Sequence, residues 1–177
     1  MDVEASSRAS AALRHLKRVY LSMGSNRGDR VANFERAMEE LGRNGVNVER
    51  VSSFYKTEPV DFGPQAWFLN CAVALATIHT PQHLMAAMLT IEHEMGRRRT
   101  QKKGPRTIDI DILLFGGLIL DSQELTIPHP AMHQRRFVLE PLAEIAPEVR
   151  HPVLQKSVWE LLKELPAGQL VQKFEGK

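Results

Sequence analysis

Gly104-Pro105-Arg106-Thr107-Ile108-Asp109-Ile110-Asp111-Ile112-Leu113-Leu114-Phe115-Gly116 is the stretch on which the reading of this chain turns. From Thr107 to Phe115 the residues are β-branched or large and apolar, apart from two aspartates, and Gly116-Gly117 ends the run. The pattern predicts a loop feeding a buried strand. Strand side chains alternate between faces, so Asp109 and Asp111 share one face while Ile108, Ile110 and Ile112 take the other. Carboxylates about 7 Å apart on one face repel each other unless positive charge lies between them. Arg97, Arg98, Arg99, Lys102, Lys103 and Arg106 lie immediately upstream. Asp-x-Asp on a rigid strand behind a cationic loop points to a divalent metal and a polyphosphate. The plainer alternative is a pair of solvent-facing aspartates behind a charge run that suits a helix C-terminus.

Size and composition set the frame. The chain has 177 residues, 43% hydrophobic and 25% charged, as expected of one globular domain with a full core. Residues 18–166 are read as that domain, 1–17 as an N-terminal arm and 167–177 as a loose tail. A net charge of +2 is too small for bulk nucleic-acid binding. The lone cysteine, Cys71, sits in an apolar run and is read as a small buried hydrophobe. No disulfide framework is available, which favours a reducing compartment, and a cytoplasmic monomer is expected. No apolar stretch reaches the ~20 residues of a membrane span. Residues 1–17 carry Asp2 and Glu4 and lack the apolar core of a signal peptide. A short helix, an arm and a weak targeting segment all remain open for them.

Working outward from the opening stretch, Val19-Tyr20-Leu21-Ser22-Met23 reads as a first strand. A helix follows from Arg30, with Asp29 as N-cap and Val31, Phe34, Ala37, Met38 and Leu41 along one face. Residues 46–55 read as a second strand and 56–65 as a proline- and glycine-containing loop. A third strand covers 67–78, with Phe68, Asn70, Ala72 and Ala74 on one face and Leu69, Cys71, Val73 and Leu75 on the other. Thr80-Pro81 starts a second helix that Gly96 stops. After the Asp-x-Asp strand come a hairpin, the extended turn Pro128-His129-Pro130, a helix over 137–145 broken or ended by Pro141 or Pro147, and a last helix behind the capping box Ser157-x-x-Glu160. The order β-α-β-β-α-β predicts an α+β, ferredoxin-like sandwich with an additional C-terminal hairpin and helices. Asp109 and Asp111 are expected on its helix-free, open face.

Magnesium takes hard oxygen ligands and is usually held by one or two carboxylates plus substrate phosphates. Zinc lacks a cysteine pair or clustered histidines here. Arg97, Arg99 and Arg106 offer forked donors for phosphate. Phe62, Trp67, Phe68 and Phe137 are candidates to stack on a flat heterocycle, against an ordinary role in the core. His129, between two prolines, is either a phosphate contact or a rigid turn residue. No Walker A or Rossmann glycine pattern is present. Two other readings stand beside a phosphoryl-transfer enzyme. An RNA-binding sheet is opposed by the paired aspartates, and a metal-dependent phosphohydrolase by the lack of further acidic residues around them.

The stretch 104–113 closely resembles the signature of the 6-hydroxymethyl-7,8-dihydropterin pyrophosphokinase family. The resemblance runs over about residues 19–147. It includes Gly24-Ser25-Asn26, Val51-Ser52-Ser53-Phe54-Tyr55-Lys56-Thr57, Phe68-Leu69-Asn70, Gly96-Arg97, Leu125-Thr126-Ile127-Pro128-His129 and Arg135-x-Phe137. It implies transfer of pyrophosphate from ATP to a pterin alcohol, with AMP as product, in folate biosynthesis. It further implies that Asp109 and Asp111 hold two Mg²⁺ ions bridging the ATP phosphates, with Arg97 and Arg106 as catalytic partners. The pterin would lie between Phe68 and Phe137, its edge read by Asn70 and by Thr57, Pro59 and Val60. Glu92, Arg97, Arg99, Arg106, Ile112, Thr126, His129 and Arg135 would serve ATP. Neither nucleic acid nor membrane is an implied partner. Lys103, Pro130 and Glu124 depart from the residues that relatives often carry at those places.

Overall fold

The computed structural model describes residues 16–58, 66–97, 105–168 and 170–176. Its centre is an antiparallel sheet built on β1 (Lys17–Ser25), β4 (Phe68–Thr77) and β5 (Asp109–Phe115). β1 lies between the other two. Beyond β4 come β2 (Asn47–Val51) and β3 (Tyr55–Thr57), which pair with different parts of that strand, and β8 (Val171–Lys173) pairs with β3. A separate two-stranded ribbon joins β6 (Leu120–Asp121) to β7 (Thr126–Ile127).

Among the described residues, four α-helices cover the sheet. α1 (Arg30–Arg43) is capped by Asp29, whose carboxylate accepts from Ala32 N–H at 3.1 Å. α2 (Pro81–Glu94) is capped by Thr80. Their apolar stripes, including Phe34, Leu41, Leu84 and Ile91, pack on Val19, Leu21, Cys71, Val73, Ile110 and Ile112. α3 (Arg136–Ile145) and α4 (Val158–Glu164) bury Val138, Leu139, Leu142 and Leu161 against Tyr20, Ala72, Ala74 and Leu114. The expected capping box forms: Ser157 Oγ accepts from Glu160 N–H, and Glu160 accepts from Ser157 N–H at 2.7 Å. Among the described residues no helix is long and apolar enough to cross a membrane.

Several expectations change. The face carrying the aspartates is not open along its length, because α3 and α4 cover its Ala72–Ala74 half and leave the Asp109 end. The predicted strand over 46–55 is two strands. Ser52 ends the first by exchanging bonds with Ala72 through backbone and hydroxyl, and Phe54 turns to the other face to stack on Phe34 at 4.9 Å. Tyr55–Thr57 is strand β3, although the sequence pattern places Lys56 and Thr57 in a loop. In addition, the stretch read as a loose tail contains β8, paired along β3. Pro141 lies inside α3 without breaking it.

Candidate functional site

Strand register builds the site floor. Asp109 lies opposite Gly24, Gly24 opposite Asn70, and Asn70 opposite Tyr55, so one row crosses β5, β1, β4 and β3. The neighbouring rows place Asp111 opposite Ser22 and Thr57 opposite Phe68. Directly paired residues point the same way. The two aspartates, Asn70, Phe68 and Thr57 therefore share the face away from α1 and α2. Gly24 contributes no side chain to the middle of the row. A Cβ there would lie 2.9 Å from Asn70 Oδ1. Asn70 donates from Nδ2 to Thr57 Oγ1 at 2.7 Å, and both side chains are buried.

At the other end of the row, charges converge on Asp109. α2 ends in a Schellman turn: Arg97 N–H donates to Glu92 O at 2.9 Å and Gly96 N–H to His93 O at 3.0 Å, with Gly96 at φ +91°. That left-handed residue favours glycine. The turn sets Arg97 beside the Glu92 carboxylate, with which it forms an ion pair, and 2.6 Å from Asp109 Oδ1. Glu92 is buried and also accepts from Ile110 N–H at 2.8 Å, tying α2 to β5. Arg106 pairs with Asp109 Oδ2. Its backbone is pinned by Asn26, whose Oδ1 accepts from Arg106 N–H at 2.7 Å and whose N–H donates to Arg106 O at 3.1 Å.

Burial pushes the Glu92 carboxyl up to about 7 despite its bonds to Ile110 and Arg97. Burial works against the Arg97 charge, but Asp109 and Glu92 outweigh it and hold its pKa above the ordinary value. Asp111 is raised to about 6, first by burial and then by Asp109; Arg135, Arg97 and Arg106 only partly offset this. At Asp111, burial and the neighbouring carboxylate thus outweigh three arginines in reach. Among the described residues no group of three or more His, Cys, Asp or Glu side chains could hold a metal. Two carboxylates with hard oxygens fit Mg²⁺, which completes its shell with water and phosphate. Arg97 and Arg106 would then have to leave Asp109.

His129 joins this cluster from the turn after β7. Its N–H donates to Leu113 O at 2.9 Å and its Nδ1 accepts from Ala131 N–H at 3.1 Å, which leaves Nε2 to carry the proton of the neutral ring. Burial, and then Arg135, lowers its pKa. Arg135 precedes α3 with its guanidinium 5.7 Å from the Phe137 ring centroid. The structure therefore brings together Glu92, Arg97, Arg106, Asp109, Asp111, His129 and Arg135. It does the same for Thr57, Phe68 and Asn70. Ile112 points into the core beneath α1 and α2, away from the face that carries the aspartates. Thr126, on β7, bonds Asp121 at 3.3 Å. Pro59, Val60 and Arg99 lie outside the described residues, as do Arg98, Lys102, Lys103 and Phe62. Asn26 received no role from the sequence, although Gly-Ser-Asn directly after a strand is a turn signal that could have marked it.

A family model described as 7,8-dihydro-6-hydroxymethylpterin-pyrophosphokinase (HPPK) matches residues 20–147. The chain is 45% identical over 131 residues to the 2-amino-4-hydroxy-6-hydroxymethyldihydropteridine pyrophosphokinase of Bacillus subtilis, covering 73% of this chain and 78% of that protein. It is 44% identical over 135 residues to the protein of the same name from Methylorubrum extorquens, covering 76% and 85%. It is also 40% identical over 164 residues to the folic acid synthesis protein fol1 of Schizosaccharomyces pombe. That match covers 91% of this chain and 22% of fol1, so the chain spans about a fifth of that relative. A crystal structure of Plasmodium falciparum HPPK-DHPS with SDX-DHP matches with a TM-score of 0.68 at 17% identity, over 84% of this chain and 45% of that one, a likeness of fold.

Proposed function

Because the chain belongs to the 7,8-dihydro-6-hydroxymethylpterin-pyrophosphokinase family, the pyrophosphokinases of folate biosynthesis, we propose that it transfers pyrophosphate from ATP to the hydroxyl of 6-hydroxymethyl-7,8-dihydropterin and releases AMP. One observation carries this reading. The carboxylate–arginine cluster at Asp109 and the Asn70–Thr57 pair stand on the same sheet face, with side-chain-free Gly24 between them. This arrangement supports reading the Asp109 end as the phosphate end and the Asn70–Thr57 end as the heterocycle end, with Gly24 leaving the floor between them clear.

Asp109 and Asp111 would hold Mg²⁺, two ions in this reading, which would neutralise phosphate oxygens. Arg97, Arg106 and Arg135 place guanidinium groups where charge develops as the bond to AMP breaks. Glu92 holds Arg97 and β5 in place. His129 presents Nε2–H to a phosphate oxygen. Phe68 and Phe137 stack on the pterin while Asn70, Thr57 and the segment with Pro59 and Val60 read its edge. Thr126, Arg99 and the Ile112 backbone complete the nucleotide side. The pterin hydroxyl attacks the β-phosphorus and AMP departs.

The sheet order β5-β1-β4-β2 supports a ferredoxin-like reading of the core. The domain is taken to run from β1 through β8, which pairs along β3, and to act as a cytoplasmic monomer with ATP and the pterin as its partners.

Incubation with ATP, Mg²⁺ and the pterin alcohol tests the function. AMP and pterin pyrophosphate should form together. Inorganic phosphate released without pterin would overturn the reading in favour of a phosphohydrolase.

A further inference from the structure

Glu144 lies in the last turn of α3, the helix whose first turn carries Phe137. Three donors from one sheet edge meet its carboxylate: Ser53 N–H at 3.1 Å, Ser53 Oγ at 2.8 Å and Tyr55 Oη at 2.6 Å. Lys173 Nζ on β8 adds a fourth group at 3.7 Å. Burial alone would raise the Glu144 pKa, but the bonds from Tyr55 and Ser53 outweigh it and hold the carboxyl below its ordinary range. Phe137 and Glu144 are seven residues apart and so lie on one face of α3, about 10 Å apart along its axis. Tyr55 lies opposite Asn70, and Thr57, two residues on, is bonded to Asn70.

We propose that Glu144 is a positioning residue for the pterin half of the site. It clamps α3 to β3 so that Phe137 keeps a fixed separation from the Thr57–Asn70 pair. The apolar contact between α3 and the sheet does not fix this separation by itself. Val138, Leu139 and Leu142 rest on Ala72 and Ala74, small side chains whose packing is non-directional. β3 has three residues, and β8, which lies beyond the residues matched by the family model, closes its outer edge and brings Lys173 to the same carboxylate. Directional bonds at one end of α3 therefore set where its other end sits. The inference rests on the pterin site as proposed above.

Glu144→Ala and Tyr55→Phe in the full chain test it, with Asn70→Ala as the site control. Each clamp variant should raise KM for the pterin about tenfold, leave KM for ATP within about twofold and keep kcat at saturating pterin, the signature of lost binding without loss of chemistry. If Asn70→Ala raises the pterin KM while both clamp variants leave it unchanged, or if the two KM values rise together, the clamp is overturned. If Asn70→Ala itself leaves the pterin KM unchanged, the site assignment fails and the clamp with it. Should Glu144→Ala not fold, Tyr55→Phe and Ser53→Ala carry the same test, since each removes one donor and leaves the carboxylate.

Discussion

The Arg97 guanidinium sits 2.6 Å from Asp109 Oδ1, so a cation already stands where the proposed metal would bind. In the proposed reaction, Arg97 and Arg106 would exchange the Asp109 carboxylate for phosphate when metal and nucleotide bind. Asp109→Asn should lower kcat by about 10³, in the range seen when one preorganised electrostatic partner is lost. Chelation of Mg²⁺ should abolish AMP release from the unaltered protein. AMP formation that persists through chelation would refute the metal assignment.

Asp111 has the opposite balance between stability and function. Burial and the Asp109 charge both disfavour its ionised form. Asp111→Asn should therefore stabilise the metal-free protein at pH 7 by about 1 kcal/mol, roughly 2–4 °C in Tm for a chain of this size. The same change should remove transfer activity. A scanning-calorimetry trace showing a lower Tm would instead assign Asp111 a structural role.

Gly24 is held by close approach. A methyl group there would meet Asn70 Oδ1 at 2.9 Å, and the side chain of Asn70 would give way before the backbone did. Gly24→Ala should thus break the Asn70–Thr57 bond and raise the pterin KM by an order of magnitude or more, while costing only about 1 kcal/mol in stability. Titration of pterin binding beside a melting curve separates the two effects; unchanged binding would show that Asn70 does not read the pterin.

His151 supplies a pH test away from the site. Its Nδ1 accepts from Val153 and Leu154 N–H, and its ring lies 6.1 Å from that of His133. Burial, then His133, lowers its pKa below 6.5. The unfolded chain therefore binds the proton more tightly, and stability is lost as pH falls below 6.5. His151→Asn keeps an acceptor near the Nδ1 position without the titration. It should flatten the dependence of Tm on pH below 6.5. An unchanged slope would place the acid sensitivity elsewhere.

Local signals in the sequence were enough for much of this molecule. Alternation placed Asp109 and Asp111 together and sorted β4 into an Asn70–Ala72–Ala74 face and a Leu69–Cys71–Val73 face. Asp29, Thr80 and Ser157 marked helix starts because a cap acts within one turn of its own residue. The split at Ser52 was not legible, since it depends on a bond to Ala72 and a stack of Phe54 on Phe34, both made across the fold.

By itself, then, the sequence determined which residues share a strand face, where the helices begin and which family the chain resembles, all properties of short windows or ordered motifs. Tertiary structure alone decided that Gly24 stands between Asp109 and Asn70, that α3 and α4 close half of the expected open face, and that Arg97 and Arg106 both turn to Asp109. It also joined Asn26 to Arg106 across 80 residues and Tyr55 to Glu144 across 89. The physical reason is range. Periodicity and caps act over a few residues, whereas these partners meet only after strand register and helix packing have brought distant segments together.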